Sequence, residues 1–322
     1  RMTSIAVLGL GSIGLRHACN FIGLGTDVIG FDPDPERLAL LKKLGGETAN
    51  SREEALLNAS AAVIASPNVN HLEDLEATLE RDLSVLAEKP LAHTTDGVDG
   101  LLERFRERGL TVFVGFQLRF HPAVRAAQQA LDEGRLGTVL WARFLMSDYL
   151  PDWRPHQDYR LNYIADPATG GVLFDMIHEF DLANYLLGPA RPMAVEASRS
   201  GHLELDSEDT ADVVLFHEGG WRSVLHLDCV SRPRQRVAQI AGTEGLMDLD
   251  LDKRRLAITD AGGETVTDQV FPGSYDDDYL DEANAFLECI KGENVPACDG
   301  TVALTILQQV IEARRMCGLP EA

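Results

Sequence analysis

The segment Gly9-Leu-Gly11-Ser12-Ile13-Gly14 constrains this chain more than any other, because it joins an apolar run, Ser4–Leu8, to a helix-like stretch from Ser12 to about Phe21. In a G-x-G-x-x-G turn between strand and helix, the first glycine permits a tight turn and the second lets the backbone approach a pyrophosphate. The third lets helix and strand pack closely, and the helix start offers free N–H groups to an anion. Asp27–Phe31 reads as the next strand and ends on Asp32. A carboxylate there bonds ribose hydroxyls and repels a 2′-phosphate, which favours NAD over NADP. Arg37, one turn on, keeps NADP open, and Asp32 also suits a turn and helix-capping role.

The alternation of short apolar runs and helical stretches continues through Pro35–Leu44, Arg52–Asn58, Ala61–Ala65, Val69–Glu80, Ser84–Ala87, Val98–Arg108 and Leu110–Val114. Continuous apolar strands alternating with helices predict an N-terminal Rossmann domain, a doubly wound parallel sheet, over residues 1–120. After Phe120 the texture changes. A helix at Ala123–Glu133 and a long strand at Thr138–Tyr149 are followed by a loop rich in Pro, Trp and Tyr and a helix near Phe174–Leu187. Strand-like stretches at about 193–200, 209–217, 221–230, 236–241, 245–249 and 254–258 then run on with turn signals between them. This predicts a second domain over 121–322, of α+β type, with an open and mainly antiparallel sheet. Two closing helices, about Tyr275–Lys291 and Thr301–Met316, could pack back toward the first domain.

The charge balance narrows the partners. With 29 Lys and Arg against 51 Asp and Glu, the net charge is −22. Such a surface repels nucleic-acid backbones and anionic lipid headgroups. Five scattered cysteines without a C-x-x-C pair fit a reducing compartment. No apolar run approaches a membrane span, and no signal-peptide pattern precedes the first strand, so a cytoplasmic location is expected. No Cys/His cluster has metal-ligand spacing, and a metal-independent reaction is expected.

Two further places carry chemistry. Glu88-Lys89-Pro90 follows a strand directly, at the edge where open α/β sheets bind ligands, so Lys89 would face a nicotinamide. In Gly170-Gly-Val-Leu-Phe-Asp175-Met-Ile-His178-Glu-Phe-Asp181, the polar residues recur at i, i+3 and i+6, placing Asp175 and His178 on one helix face. A carboxylate beside an imidazole supports exchange of a substrate hydroxyl proton near neutral pH. The neighbouring loop, with Trp153, His156, Asp158, Tyr159 and Tyr163, suits a hydroxylated ligand, since aromatic faces match sugar C–H surfaces.

With these features in order, together with Ser66-Pro67, His71, Tyr279…Glu282…Phe286 and Asp299-Gly300, the sequence resembles the glucose–fructose oxidoreductase/inositol dehydrogenase (Gfo/Idh/MocA) family over essentially its whole length. The resemblance implies an NAD(P)-dependent oxidoreductase moving a hydride between nicotinamide and a hydroxyl carbon of a sugar, inositol, sugar acid or sugar nucleotide. By motif position, Lys89 matches the lysine that polarises the reacting oxygen, His178 the catalytic histidine and Asp175 its acidic partner. Many members separate that Asp and His by four residues, this chain by three. The cofactor residues so implied are Gly9, Gly11, Ser12, Ile13, Gly14, Asp32, Ser66, Pro67, His71, Glu88 and Lys89. Trp153, His156, Tyr159, Asp175 and His178 would line the substrate, with Arg119 placed to hold an anionic group on it. The stretch from Leu150 to Arg160 is similar to a branch found with surface-polysaccharide and amino-sugar genes. A homodimer or homotetramer through the second domain's sheet is also implied. An NAD(P)-binding regulator without catalysis, or a reductase of a non-sugar substrate, stay open as alternatives.

Overall fold

The computed structural model describes residues 3–153, 155 and 157–320. Its contacts divide the chain into two compact units, one formed by Arg1–Gln117 with Tyr275–Leu307 and the other by Leu118–Ser274 with Gln308–Ala322.

In the first unit, strands β1 (Ser4–Leu8), β2 (Asp27–Phe31), β3 (Glu47–Thr48), β4 (Ala61–Ile64), β5 (Ser84–Glu88) and β6 (Val112–Gly115) form one sheet in the order β3-β2-β1-β4-β5-β6. Every pairing is parallel. Helices α1 (Ser12–Gly23), α2 (Pro35–Leu44), α3 (Arg52–Leu56), α4 (His71–Leu79) and α5 (Val98–Glu107) make the crossovers. Parallel strands covered on both faces have no solvated side, which explains why β1 and β4 are apolar almost throughout and buried along nearly their full length. The strand order reverses between β1 and β4, so the turns after these two strands flank the crevice where open α/β sheets take ligands.

The second unit holds α6 (Pro122–Asp132), β7 (Val139–Tyr149), α7 (Leu150–Trp153), α8 (Gly171–Asp175), α9 (Ile177–Leu187), β8 (Ala190–Ser198), β9 (Thr210–His217), β10 (Arg222–Asp228), β11 (Val230–Gly242), β12 (Gly245–Asp250), β13 (Arg255–Asp260) and β14 (Thr265–Val270). Its sheet runs β14-β13-β12-β11-β7-β10-β9-β8, antiparallel except where β10 meets β7. Strict alternation sends Ala142, Phe144 and Met146 of β7, and Leu225 and Leu227 of β10, to the face covered by α6, α8 and α9. Trp141 and Val224 point to the other face and stay exposed. Two helices, α10 (Tyr275–Ile290) and α11 (Gly300–Met316), follow the sheet, and the boundary between the units falls within α11.

The sequence reading differs from the structure at several places, one being the segment Tyr275–Leu307, expected within the 121–322 domain but grouped by its contacts with the first unit. The edge strand β14 went unrecognised, because TVTDQV carries too few apolar residues to signal a strand. The two-residue β3 gave no pattern to read. The helix expected over 174–187 is two helices, parted at Met176, whose backbone leaves the helical region at φ −93 and ψ 28.

Candidate functional site

The first unit builds a cradle around the glycine turn. Gly9 has φ +84, and a Cβ there would lie 2.5 Å from the Ser66 backbone nitrogen. At Gly14 a Cβ would come within 1.9 Å of the Gly9 carbonyl oxygen, so this glycine lets α1 close onto the turn. Gly11 differs, because a Cβ built on it would meet nothing within 4 Å. It is the N-cap of α1 and supplies no side chain to satisfy the first N–H groups, which leaves the helix end suited to an anion.

Asp32 is held rigidly beside this turn. Its Oδ2 accepts the Leu10 N–H at 2.7 Å and its Oδ1 accepts the Asp34 N–H at 2.9 Å. The capping role open to Asp32 falls to Asp34 instead, which accepts the Glu36 N–H at 2.8 Å at the start of α2.

Ser66, His71 and Glu88 turn inward and brace the strand ends. The Ser66 hydroxyl donates to Asp74 Oδ2 at 2.6 Å, and Arg52 reaches the other oxygen of Asp74 at 3.2 Å. The buried His71 ring lies between the Ser66 and Pro90 carbonyl oxygens, each 2.9 Å from a ring nitrogen, and so ties the turn after β4 to the turn after β5. Burial pulls the His71 imidazole below its ordinary range, against those two carbonyls, which favour the charged form. The Glu88 carboxylate faces away from the sheet edge. Its Oε1 lies 2.7 Å from His17 Nε2, and its Oε2 accepts the Lys89 N–H at 3.2 Å. Gly115 makes room for it, since a Cβ there would sit 3.1 Å from Oε1. Lys89 itself, joined to Pro90 by a cis peptide bond, is half-buried.

In the second unit the Gly170-Gly171 pair seats α8. A Cβ on Gly170 would strike the Tyr163 carbonyl at 2.2 Å, and one on Gly171, at φ +81, would lie 2.2 Å from the Glu208 carboxylate. That carboxylate accepts the Leu173 N–H at 3.2 Å and pairs with Arg314 at 3.1 Å, both partners almost wholly buried. Burial raises the Glu208 pKa and Arg314 opposes the rise. The end of α8 carries Asp175, half-buried, and the first turn of α9 carries His178, 6% exposed. Asp175 lies close enough to the buried Cys229 to help push that thiol up, burial being the main cause.

The other charged residues of α9 serve the fold. Glu179 accepts from Arg236 at 2.7 and 3.2 Å. Asp181, the third member of the polar triplet, takes Arg119 at 2.6, 3.1 and 3.2 Å, and the guanidinium also lies 4.8 Å from the Tyr185 ring centroid. Arg119, expected to hold an anion on the substrate, is thus 7% exposed and engaged with a buried carboxylate of its own chain.

In the preceding loop the Tyr159 hydroxyl accepts the Glu204 N–H at 3.2 Å, and Arg160 pairs with Asp158 and Glu204. Trp153 is half-buried, and its indole N–H has no partner among the described residues. His156 lies outside the described residues.

Sequence reasoning missed the ion pairs Glu179–Arg236 and Glu208–Arg314, whose partners lie 57 and 106 residues apart. It also missed that His17, Glu88 and Glu282 bring one ligand atom each to within 4.8 Å of one another, all three buried. Glu282 stood in a noted pattern, but nothing local linked it to Glu88.

Two family models match the chain. Residues 3–116 match an oxidoreductase family with an NAD-binding Rossmann fold, and residues 124–248 match the GFO/IDH/MocA C-terminal domain. The chain is 29% identical to the myo-inositol 2-dehydrogenase of Thermotoga maritima, covering 98% of both sequences. It is 26% identical to the UDP-N-acetylglucosamine 3-dehydrogenase of Acidithiobacillus ferrooxidans, covering 96% of this chain and 95% of the relative. Among solved structures, an oxidoreductase from Agrobacterium radiobacter in complex with NAD+, L-tartaric acid and magnesium superposes with a TM-score of 0.87 at 18% identity, covering 99% of this chain and 97% of the other. At that identity the likeness speaks for the fold alone.

Proposed function

Because the chain belongs to the GFO/IDH/MocA oxidoreductase family, in both its Rossmann domain and its C-terminal domain, we propose that it is an NAD-dependent dehydrogenase acting on a secondary hydroxyl of a small polyhydroxylated molecule. The observation that carries this reading is the glycine cradle with its anchored Asp32. The open space over Gly11 admits a pyrophosphate, and the fixed carboxylate of Asp32 offers its remaining lone pairs to a ribose. Gly9, Gly11, Ser12, Ile13 and Gly14 would hold the cofactor's phosphates, with Ser66 and Pro67 beside the crevice and Lys89 toward the nicotinamide. His71 and Glu88 contribute by holding the strand ends in place.

When bound, NAD supplies a nicotinamide that takes up or returns the hydride. Of the chain's own residues, His178 exchanges the hydroxyl proton and Asp175 favours its charged form. Lys89 steadies the negative charge that develops on the substrate oxygen. The test is a screen for NADH formation across inositols, free sugars, sugar acids and sugar nucleotides. Turnover with a free polyol supports the reading, and no turnover with any class under either NAD or NADP overturns it.

Asp32 gives the cofactor preference its own test. Asp32→Ala should raise the Kd for NAD by about tenfold, the worth of one charge-assisted hydrogen bond of about 1.5 kcal/mol, while improving NADP relative to NAD. Unchanged discrimination between the two would remove Asp32 from the cofactor site.

The uncovered face of the second sheet supports a homodimer or homotetramer. Trp141 and Val224 are 43 and 41% exposed there, beside Leu145 and Val237, an apolar patch of the kind that marks an interface. Sedimentation should show a dimer or larger for the native protein and a monomer for Val224→Asp with Trp141→Asp; a native monomer would refute this assembly. A cytoplasmic location agrees with the five cysteines, none of them in a disulfide. Among the described residues no helix is long and apolar enough to cross a membrane.

A further inference from the structure

Behind the strand end that carries Lys89, three titratable side chains from three elements meet in the interior. His17 comes from α1, Glu88 from the end of β5 and Glu282 from the middle of α10, and His17 and Glu282 are wholly buried. The rings of Phe21, Phe113 and Phe286 pack together on the same side of the unit, with centroids 6.0 to 6.2 Å apart. Tyr279, one turn before Glu282, packs edge-on to His17 at 5.8 Å and shares a hydroxyl contact of 3.1 Å with Tyr275. Arg16 lies over both tyrosine rings at 4.9 and 5.1 Å and pairs with Asp276.

The hydrogen bonds restrict the charges. His17 Nε2 meets Glu88 Oε1, while His17 Nδ1 is buried with no partner among the described residues. Protonating Nδ1 would bury an unsatisfied N–H, so His17 is the neutral tautomer that donates from Nε2. Glu88 accepts on both oxygens, from His17 and from the Lys89 backbone, and is therefore the anion. Both oxygens of Glu282 are buried without a hydrogen-bond partner among the described residues, and the three groups lie within 4.8 Å of one another. A second carboxylate anion there would face Glu88 out of contact with bulk solvent, with no hydrogen-bond donor to it among the described residues.

We propose that Glu282 is protonated in the native protein, and that this neutral carboxyl is a positioning residue for the proposed catalysis. With the proton on Glu282, Glu88 keeps the cluster's single negative charge and holds the Lys89 backbone on one side and His17 on the other. Ionising Glu282 would set two anions against each other and push Glu88 off the Lys89 amide. Burial first and the Glu88 charge second hold the Glu282 carboxyl well above its usual range, and the same two causes raise the Tyr279 phenol. The charged and titratable groups facing Glu282 are His17 on α1, Glu88 at the end of β5 and Tyr279 on α10. A divalent cation is the competing occupant of such a trio. The 2.7 Å contact between His17 and Glu88 opposes it, since two ligands at zinc distances sit about 3.3 Å apart around a tetrahedral ion.

The positioning role rests on Lys89 being the catalytic lysine, whereas the protonation state does not, and the experiment separates the two. In the full-length protein at neutral pH, infrared spectroscopy should show the C=O stretch of a buried neutral carboxyl that Glu282→Gln removes. A group whose folded pKa is raised stabilises the fold fully below its unfolded value and loses that contribution as pH rises above it. The Tm of Glu282→Gln should therefore gain on the native protein as the pH rises above the unfolded carboxyl range, about pH 4.3. No neutral-carboxyl band, a constant or shrinking Tm gap, or stoichiometric metal in the purified protein would overturn the protonated Glu282. With an active polyol in hand, the alkaline fall of kcat should move to higher pH in Glu282→Gln and persist in Glu282→Asp. Coincident profiles would overturn the positioning role alone. Absence of turnover with every substrate class would instead defeat the dehydrogenase reading, with the infrared and Tm results still deciding the proton.

Discussion

Alanine at His178, or methionine at Lys89, is expected to lower turnover by a factor of about 10² to 10⁴ while leaving NAD affinity nearly unchanged. The expectation follows from what each side chain would do. Removing the imidazole deprives the hydroxyl of its proton acceptor, and removing the ammonium leaves the developing alkoxide without its counter-charge. Neither residue belongs to the glycine turn or to the Asp32 anchor, so the cofactor's own contacts survive. The double variant should be scarcely slower than the worse single one, because residues that act on one proton transfer fail together. The measurement is kcat with the best polyol from the substrate screen, paired with calorimetric NAD binding for each variant. If His178→Ala kept native kcat, the histidine would be one more buried α9 side chain serving the fold. If Lys89→Met lost NAD binding altogether, the lysine would be a cofactor ligand and not a catalyst.

The contrast among the polar residues of α9 shows where sequence periodicity stops. Spacing placed Asp175, His178 and Asp181 at i, i+3 and i+6, with Asp175 and His178 on one helix face. In the structure the helix breaks at Met176, and Asp181 proves to be the buried partner of Arg119. Both outcomes depend on long-range contacts. Arg119 is 62 residues before Asp181, and no local rule says whether a guanidinium in the segment Arg-Phe-His-Pro meets a substrate anion or a carboxylate of its own chain. A buried arginine whose partner is removed leaves a charge without compensation, a penalty that keeps such pairs together whatever the site requires.

The first unit was easier to read for a physical reason. Its strands are continuous apolar runs bounded by glycine, proline and aspartate, and its site is made of backbone, which the glycine spacing encodes directly. Only one face of the second sheet is covered by helices, so its strands carry a weaker alternating signal, and β14, with five of its six residues exposed at the edge, carried almost none. The buried trio of His17, Glu88 and Glu282 lay beyond reading because each member sits in a motif with another evident purpose. His17 follows the glycine turn, Glu88 precedes the lysine, and Glu282 lies on an amphipathic helix.

Gly14→Ala and Gly11→Ala should separate two duties that a single motif combines. At position 14 the new Cβ would fall 1.9 Å from the Gly9 carbonyl oxygen and 2.9 Å from its carbon. Both are backbone atoms of the turn, so relief requires α1 to move away from β1. Overpacking of this kind costs about 1–3 kcal/mol, which lowers the Tm by about 2–4 °C per kcal/mol in a domain of this size. NAD affinity should fall with it, because the displaced helix no longer aims its N–H groups at the pyrophosphate. At position 11 the new methyl meets no protein atom within 4 Å, and φ −63 is an ordinary value for alanine. The fold should therefore keep its Tm, while the methyl projects into the space assigned to the pyrophosphate and weakens NAD by tenfold or more, about 1.4 kcal/mol. Thermal unfolding with and without saturating NAD measures both effects in one series, since a ligand raises Tm according to its occupancy. A Gly11→Ala protein with native Tm and native NAD shift would show that the cofactor backbone does not pass over this turn, and the assignment of the cradle would fall with it.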